Sequence, residues 1–221
     1  MKINHVVIIT VKEVKETLKD RSLLSSSFSI LLLIVLLSIT RFKHLTFNME
    51  SYITYIALVI GFIVGFGLSS RFIKEKQEGV IETLLCTPLT LSELWLGKVI
   101  GLTILSYTIT LISVIAISVI KKCNLTEVMT VFTFMVLPVL IASAIGLLGF
   151  LYYILGMRQI QLLNYMVFLL LFAIVFMVSG RLTLATWWSN WIMLALSLIV
   201  LSLIAYLTTR LSKERIITTL S

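Results

Sequence analysis

Few side chains in this chain can do acid–base or metal chemistry, and they avoid its long apolar runs. The ten carboxylates are Glu13, Glu16, Asp20, Glu50, Glu75, Glu78, Glu82, Glu93, Glu127 and Glu214, and all lie in polar connections or at the ends of apolar runs. Neither His5 nor His44 falls in the middle of one. A proton-driven carrier keeps an ionisable group at membrane depth, where burial shifts its pKa into a useful range. None is spaced that way here. With no Cys/His cluster, no metal site is expected. The one Gly-Lys pair, Gly97-Lys98, lacks the glycine five residues earlier and is followed by Val99, so the phosphate-loop pattern fails. No nucleophile stands beside a base, so no catalytic residue, cofactor site or ATPase activity is expected in this chain.

The polar stretch from Arg71 to Lys98 is where the charged groups concentrate. Its middle, 80–86, reads as a short amphipathic helix that stops before Pro88, because the residue preceding a proline avoids helical backbone angles. Thr90 and Glu93 have capping-box spacing, which starts a new helix near Leu91. An elbow tied at both ends to apolar helices can pass force from a soluble partner; an ordinary inter-helix loop is the plainer alternative. Further on, Thr103, Ser106, Thr110 and Ser113 recur at i, i+3, i+7 and i+10, a hydroxyl stripe that would either line a polar substrate path or serve helix packing. Gly61-x-x-x-Gly65 and Ala142-x-x-x-Gly146 read as close-packing positions.

The elements that must position these groups are membrane helices. Of 221 residues, 59% are hydrophobic and 13% charged, against roughly 25% charged in a soluble domain. About 20 apolar residues cross a hydrocarbon layer roughly 30 Å thick, and six stretches qualify: 23–40, 52–72, 94–120, 128–155, 162–180 and 191–211. Residues 5–22 differ, with Val7, Val11, Val14 and Leu18 at helical spacing and Lys12, Glu13, Lys15, Glu16, Lys19 and Asp20 on the other faces, as in a helix lying in the headgroup region or docking on a soluble partner. The expected fold is therefore all-α: one transmembrane domain of six spans, preceded by an amphipathic interfacial helix, with a short cytoplasmic helix between spans two and three.

The net charge of +8 is a topology signal. If the N-terminus lies in the cytoplasm, the outer segments hold only Arg41, Lys43, Lys121, Lys122 and Arg181 of the 18 basic residues. That bias puts both termini inside and leaves no role for nucleic acid. Cys86 and Cys123 then fall on opposite sides of the membrane, too far apart for a disulfide. No cleavable leader is expected, since the first apolar run begins only after 22 residues and has no small-residue cleavage site. Trp187, Trp188 and Trp191 mark a membrane–water boundary.

The run Glu75-Lys-x-Glu78-Gly79-x-Ile-Glu82-x-Leu84-Leu85-x-Thr87-Pro88-Leu89, with Glu93 and Gly97-Lys98 after it, resembles the segment following the second span of type-2 ABC (ATP-binding cassette) export permeases. About 25 residues carry the motif. Val80-Ile81 departs from the commoner Thr-Leu or Ser-Leu, and the 181–190 connection is shorter than in many relatives. The resemblance implies that 75–88 forms a coupling segment in which Glu78, Gly79, Glu82, Leu85 and Pro88 meet a separate ATPase subunit. ATP and Mg would be held there, not here. It further implies an exporter in the cytoplasmic membrane of a prokaryote, with this permease paired to a copy of itself or to a second permease. A haem-export or cytochrome-c-maturation permease is the nearest alternative, and a channel or assembly scaffold without an energy source is the more distant one.

Overall fold

In the computed structural model, residues 3–20, 25, 49–79, 89–121, 126–156, 159–167 and 187–210 are described. Among them there is no strand. The elements are α1 (Ile3–Lys19), α2 (Met49–Gln77), α3 (Leu91–Lys121), α4 (Glu127–Val131), a π-helical turn (Phe132–Val136), α5 (Leu137–Ile154) and α6 (Trp187–Arg210); residues 159–167 are also helical. Four helices are long and apolar enough to cross a membrane: α2 from Ile53, α3, the α4–α5 rod, and α6. At about 1.5 Å per residue, the 31 residues of α3 reach beyond the hydrocarbon layer. Apart from residue 25, the expected span 23–40 lies outside the described residues, as does 162–180 beyond residue 167, and Cys86 and Cys123 lie there too.

Helix ends follow local chemistry. At the start of α3 the Glu93 backbone N–H donates to Thr90 Oγ1 at 3.3 Å, and the Thr90 N–H donates to Glu93 Oε2 at 3.2 Å. That is the expected capping box, so α3 begins at Leu91. Helix α2 runs on to Gln77, past residue 72, because polar residues prolong a helix once it leaves hydrocarbon. It ends where Gly79 adopts a left-handed φ of 69°. Helix α6 starts at Trp187, inside the expected 181–190 connection, with all three tryptophans exposed along its first turns.

The core is the triangle of α2, α3 and α5, with α6 against α5. Trp95 is fully buried; its indole N–H donates to the Gly146 carbonyl at 3.2 Å, and a Cβ on Gly146 would stand 3.0 Å from its ring. Phe72 meets Tyr153 edge-on and fills the space left by Gly149. A Cβ on Gly61 would press on Ile141. The close-packing reading of 61–65 and 142–146 thus describes real contacts. The π-helical turn precedes Pro138, which has no N–H to give to the helix. Tyr107 on α3 donates to the nearby Thr133 carbonyl at 3.2 Å.

Helix α1 packs along the start of α3. Gly97 and Gly101 make that possible, because a Cβ on Gly97 would stand 2.7 Å from Ile9 Cβ and one on Gly101 would stand 3.1 Å from Glu13 Cβ. Thr10 Oγ1 donates to the Gly97 carbonyl at 3.1 Å across this contact. Gly97→Ala should therefore cost about 1–3 kcal/mol of stability through overpacking, read as a lower midpoint of heat unfolding in detergent. Gly156→Ala, where nothing lies within 4 Å, should leave it unchanged.

Candidate functional site: a buried ion cluster at the charged end of the bundle

The last two turns of α2 carry Arg71, Lys74, Glu75 and Lys76, and the first turns of α3 carry Glu93 and Lys98. The two helices run antiparallel, so all of these groups collect at one end of the bundle. Helix α1 lays Glu13, Glu16 and Asp20 against them.

The centre of the cluster is dry. Glu13 and Lys98 are each only 4% exposed. Lys98 Nζ bonds Glu75 Oε2 and lies 3.6 Å from Glu13 Oε2. Arg71 reaches Glu13 through Nε at 2.6 Å, and its Nη2 donates to Glu16. Arg71 Nε is also 3.8 Å from Glu75 on the same helix. Around this centre Lys74 pairs with Asp20 at 2.8 Å, and His5 Nδ1 lies 3.7 Å from Glu93. Lys98 also sits 5.7 Å from the centre of the Phe72 ring.

Lys76 leaves this group and crosses to α5. Its ammonium donates to the carbonyls of Leu155, at 2.6 Å, and Tyr152, at 3.3 Å. Those acceptors lie in the last turn of α5 and at its C-cap, where free carbonyls favour a cation. Four consecutive or near-consecutive residues of α2 therefore hold three different helices: Arg71 and Lys74 hold α1, Glu75 holds α3, and Lys76 holds α5.

Electrostatics explain how so many charges share a dry space. Glu13, Glu16 and Glu75 face Arg71 and Lys98, and Lys12 stands 3.7 Å from Glu16 on its exposed side. Burial pushes the Glu13 carboxyl above its usual range, and the Glu75 and Glu16 carboxylates push the same way. Lys98 and Arg71 oppose the shift without overcoming it.

Of the residues expected to meet an ATPase subunit, Glu78 and Gly79 are described and Glu82, Leu85 and Pro88 are not. Glu78 and Gly79 follow directly on the cluster, with the Glu78 N–H donating to the Lys74 carbonyl at 2.9 Å. Nothing lies within 4 Å of a Cβ on Gly79, so its glycine character serves the left-handed backbone that ends α2. The hydroxyl stripe of α3 is turned into the bundle, with Ser106, Thr110 and Ser113 buried. Thr103, Thr110 and Ser113 donate to carbonyls one turn back, and Ser106 donates to the Gly61 carbonyl of α2 at 3.3 Å.

The cluster itself was hidden by the way amphipathic helices are read. Arg71 and Glu75 are spaced i, i+4, and Gly97-x-x-x-Gly101 has the spacing of the other close-packing pairs, so the signals existed. Nothing in a hydrophobic pattern says that Glu13 is the inward residue. The chain matches no protein-family model, no curated protein and no solved structure.

The raised pKa of Glu13 has a definite consequence for stability. Its neutral form is the better fit to the fold, so its contribution is fully present below the unfolded value near 4.5 and is lost as pH rises through the higher folded value. Glu13→Gln should remove that downward slope above pH 4.5 and leave heat stability at pH 7 equal to the parent's or higher. A measured loss at pH 7, with the slope intact, would contradict it.

Proposed function

We propose that this chain is the membrane subunit of an ATP-driven exporter, moving its substrate outward with energy from ATP hydrolysed on separate subunits. The observation that carries this reading is the coupling-type run Glu75–Leu89, joined without a break to the ion cluster. Its first residues sit on the clamped end of α2, and its far end enters α3 through the Thr90–Glu93 capping box. What supports the reading is that the described residues at the two ends of this run, Glu78–Gly79 and Leu89–Thr90, adjoin helices packed in the bundle.

In this reading the charged end of the bundle faces the cytoplasm, α1 lies at that membrane surface, and the chain has six spans with both termini inside. A permease of six spans pairs with a second copy or a similar chain. The ATPase subunits press on Glu78, Gly79, Glu82, Leu85 and Pro88. Movement of that segment reaches α1 through Arg71 and Lys74, α3 through Glu75–Lys98, and α5 through Lys76. The Thr103, Ser106, Thr110 and Ser113 hydroxyls hold helices together within one subunit, and a substrate path falls elsewhere, between subunits.

Glu78→Lys combined with Glu82→Lys should abolish co-purification of the ATPase subunit, or uncouple ATP hydrolysis from transport while the permease still inserts and pairs. Unchanged co-purification together with unchanged coupled hydrolysis would sink the assignment.

A further inference from the structure

Helix α1 is sorted by charge sign. All three of its carboxylates turn inward: Glu13 and Glu16 to Arg71, and Asp20 to Lys74. Its lysines at 12, 15 and 19 turn outward and are exposed. Lys12 stands 3.7 Å from Glu16, a carboxylate already bonded to Arg71. Among the described residues Lys15 and Lys19 pair with no carboxylate. The same outer side carries Val7, Ile8, Val11 and Leu18, each about half exposed or more. With 3.6 residues per turn, these four and the three lysines fall within an arc of about 140°. The inward side holds Val6, Glu13 and Thr17, buried on α3.

Helix α1 is therefore inverted relative to a helix of a soluble protein, with its acids turned toward the bundle, Glu13 buried there, and its aliphatic side exposed beside Lys15 and Lys19, which pair with no carboxylate among the described residues. Neither half of that surface is satisfied by water alone. The aliphatic residues gain by entering an apolar phase, and the ammonium groups gain beside fixed negative charge. Helices α2 and α3 fix α1 beside two membrane-spanning helices, which puts that apolar phase within reach.

We propose that the outer face of α1 is a binding surface for anionic lipid headgroups. Val7, Ile8, Val11 and Leu18 enter the acyl boundary, and Lys12, Lys15 and Lys19 hold phosphate groups around them. The inference rests on α1 lying at the bilayer surface and adds the lipid class that it selects. Glu13 and Glu16 of α1 and Asp20 just after it pair with Arg71 and Lys74, and of the three outer lysines only Lys12 stands near one of these acids, which leaves the face cationic. The ion cluster thereby creates the lipid site as well as holding the helix.

The test uses the full chain with Cys86→Ser, Cys123→Ser and Val11→Cys, the new thiol carrying a fluorophore, reconstituted in phosphatidylcholine vesicles. Equal amounts of brominated phosphatidylcholine or brominated phosphatidylglycerol serve as quenchers. Brominated phosphatidylglycerol should quench more strongly, with a local enrichment of at least roughly fivefold, the worth of one lysine at an anionic surface. Lys12→Gln, Lys15→Gln and Lys19→Gln together should make the two lipids equivalent, as should 1 M salt, which shortens the screening length to about 3 Å. A label at Val7→Cys should repeat the result. Equal quenching by both lipids in the parent, or a preference that survives the triple substitution, overturns the lipid selectivity while leaving α1 at the interface. No quenching by either lipid means that α1 is away from the bilayer, and both statements fall.

Discussion

Lys98 is the group on which the charged end of the bundle depends. It is buried between Glu75 of α2 and Glu13 of α1, and it stands on α3 one residue after the glycine that admits α1. Taking charges out of water costs several kcal/mol per ion, and only close, multiple pairing offsets this. The cluster meets that condition through its geometry: Lys98 serves two carboxylates, Arg71 serves three, and burial raises the affinity of Glu13 for a proton. Such a centre adds little net stability compared with a well-packed apolar one. It does fix registry, because a slide of α1 along α3 by one turn would leave both partners buried and unpaired.

That registry links the parts of the molecule. Below the cluster, aromatic side chains set the spacing of α2, α3 and α5: Trp95 fills the space over Gly146, and Phe72 the space over Gly149. Phe72 lies one residue after Arg71 and also faces Lys98, so the apolar core and the ionic centre meet at one point. Beside it, Lys76 closes the last turn of α5. The end of α2, just before Glu78, is thus tied by ion pairs and hydrogen bonds to α1, α3 and α5.

Much of this was readable from residue order. Apolar length located the four described helices that are long and apolar enough to cross a membrane, and the Thr90–Glu93 pair located the start of α3 to the residue. Small-residue spacing picked out real helix contacts at Gly61 and Gly146. Three features were not readable. Pattern reasoning took the apolar stripe of α1 for its only packing side, whereas burial falls on Val6, Glu13 and Thr17, since a carboxylate can face inward when a lysine and an arginine from two other helices meet it. Gly97 entered the sequence reading through a failed phosphate-loop pattern and the permease resemblance, whereas its place in the fold is to lack a side chain opposite Ile9. The π-helical turn before Pro138 leaves no mark in composition, because Phe132–Val136 reads as ordinary apolar helix.

The central claim is that Lys98 and Glu75 act as a buried pair holding α3 to α2. A double-mutant cycle in heat or denaturant stability tests it most directly. Lys98→Met alone should cost about 3–5 kcal/mol, because it strands two buried carboxylates. Adding Glu75→Gln should recover a large part of that loss, giving a coupling energy well above 1 kcal/mol. Two small, additive losses would contradict the account.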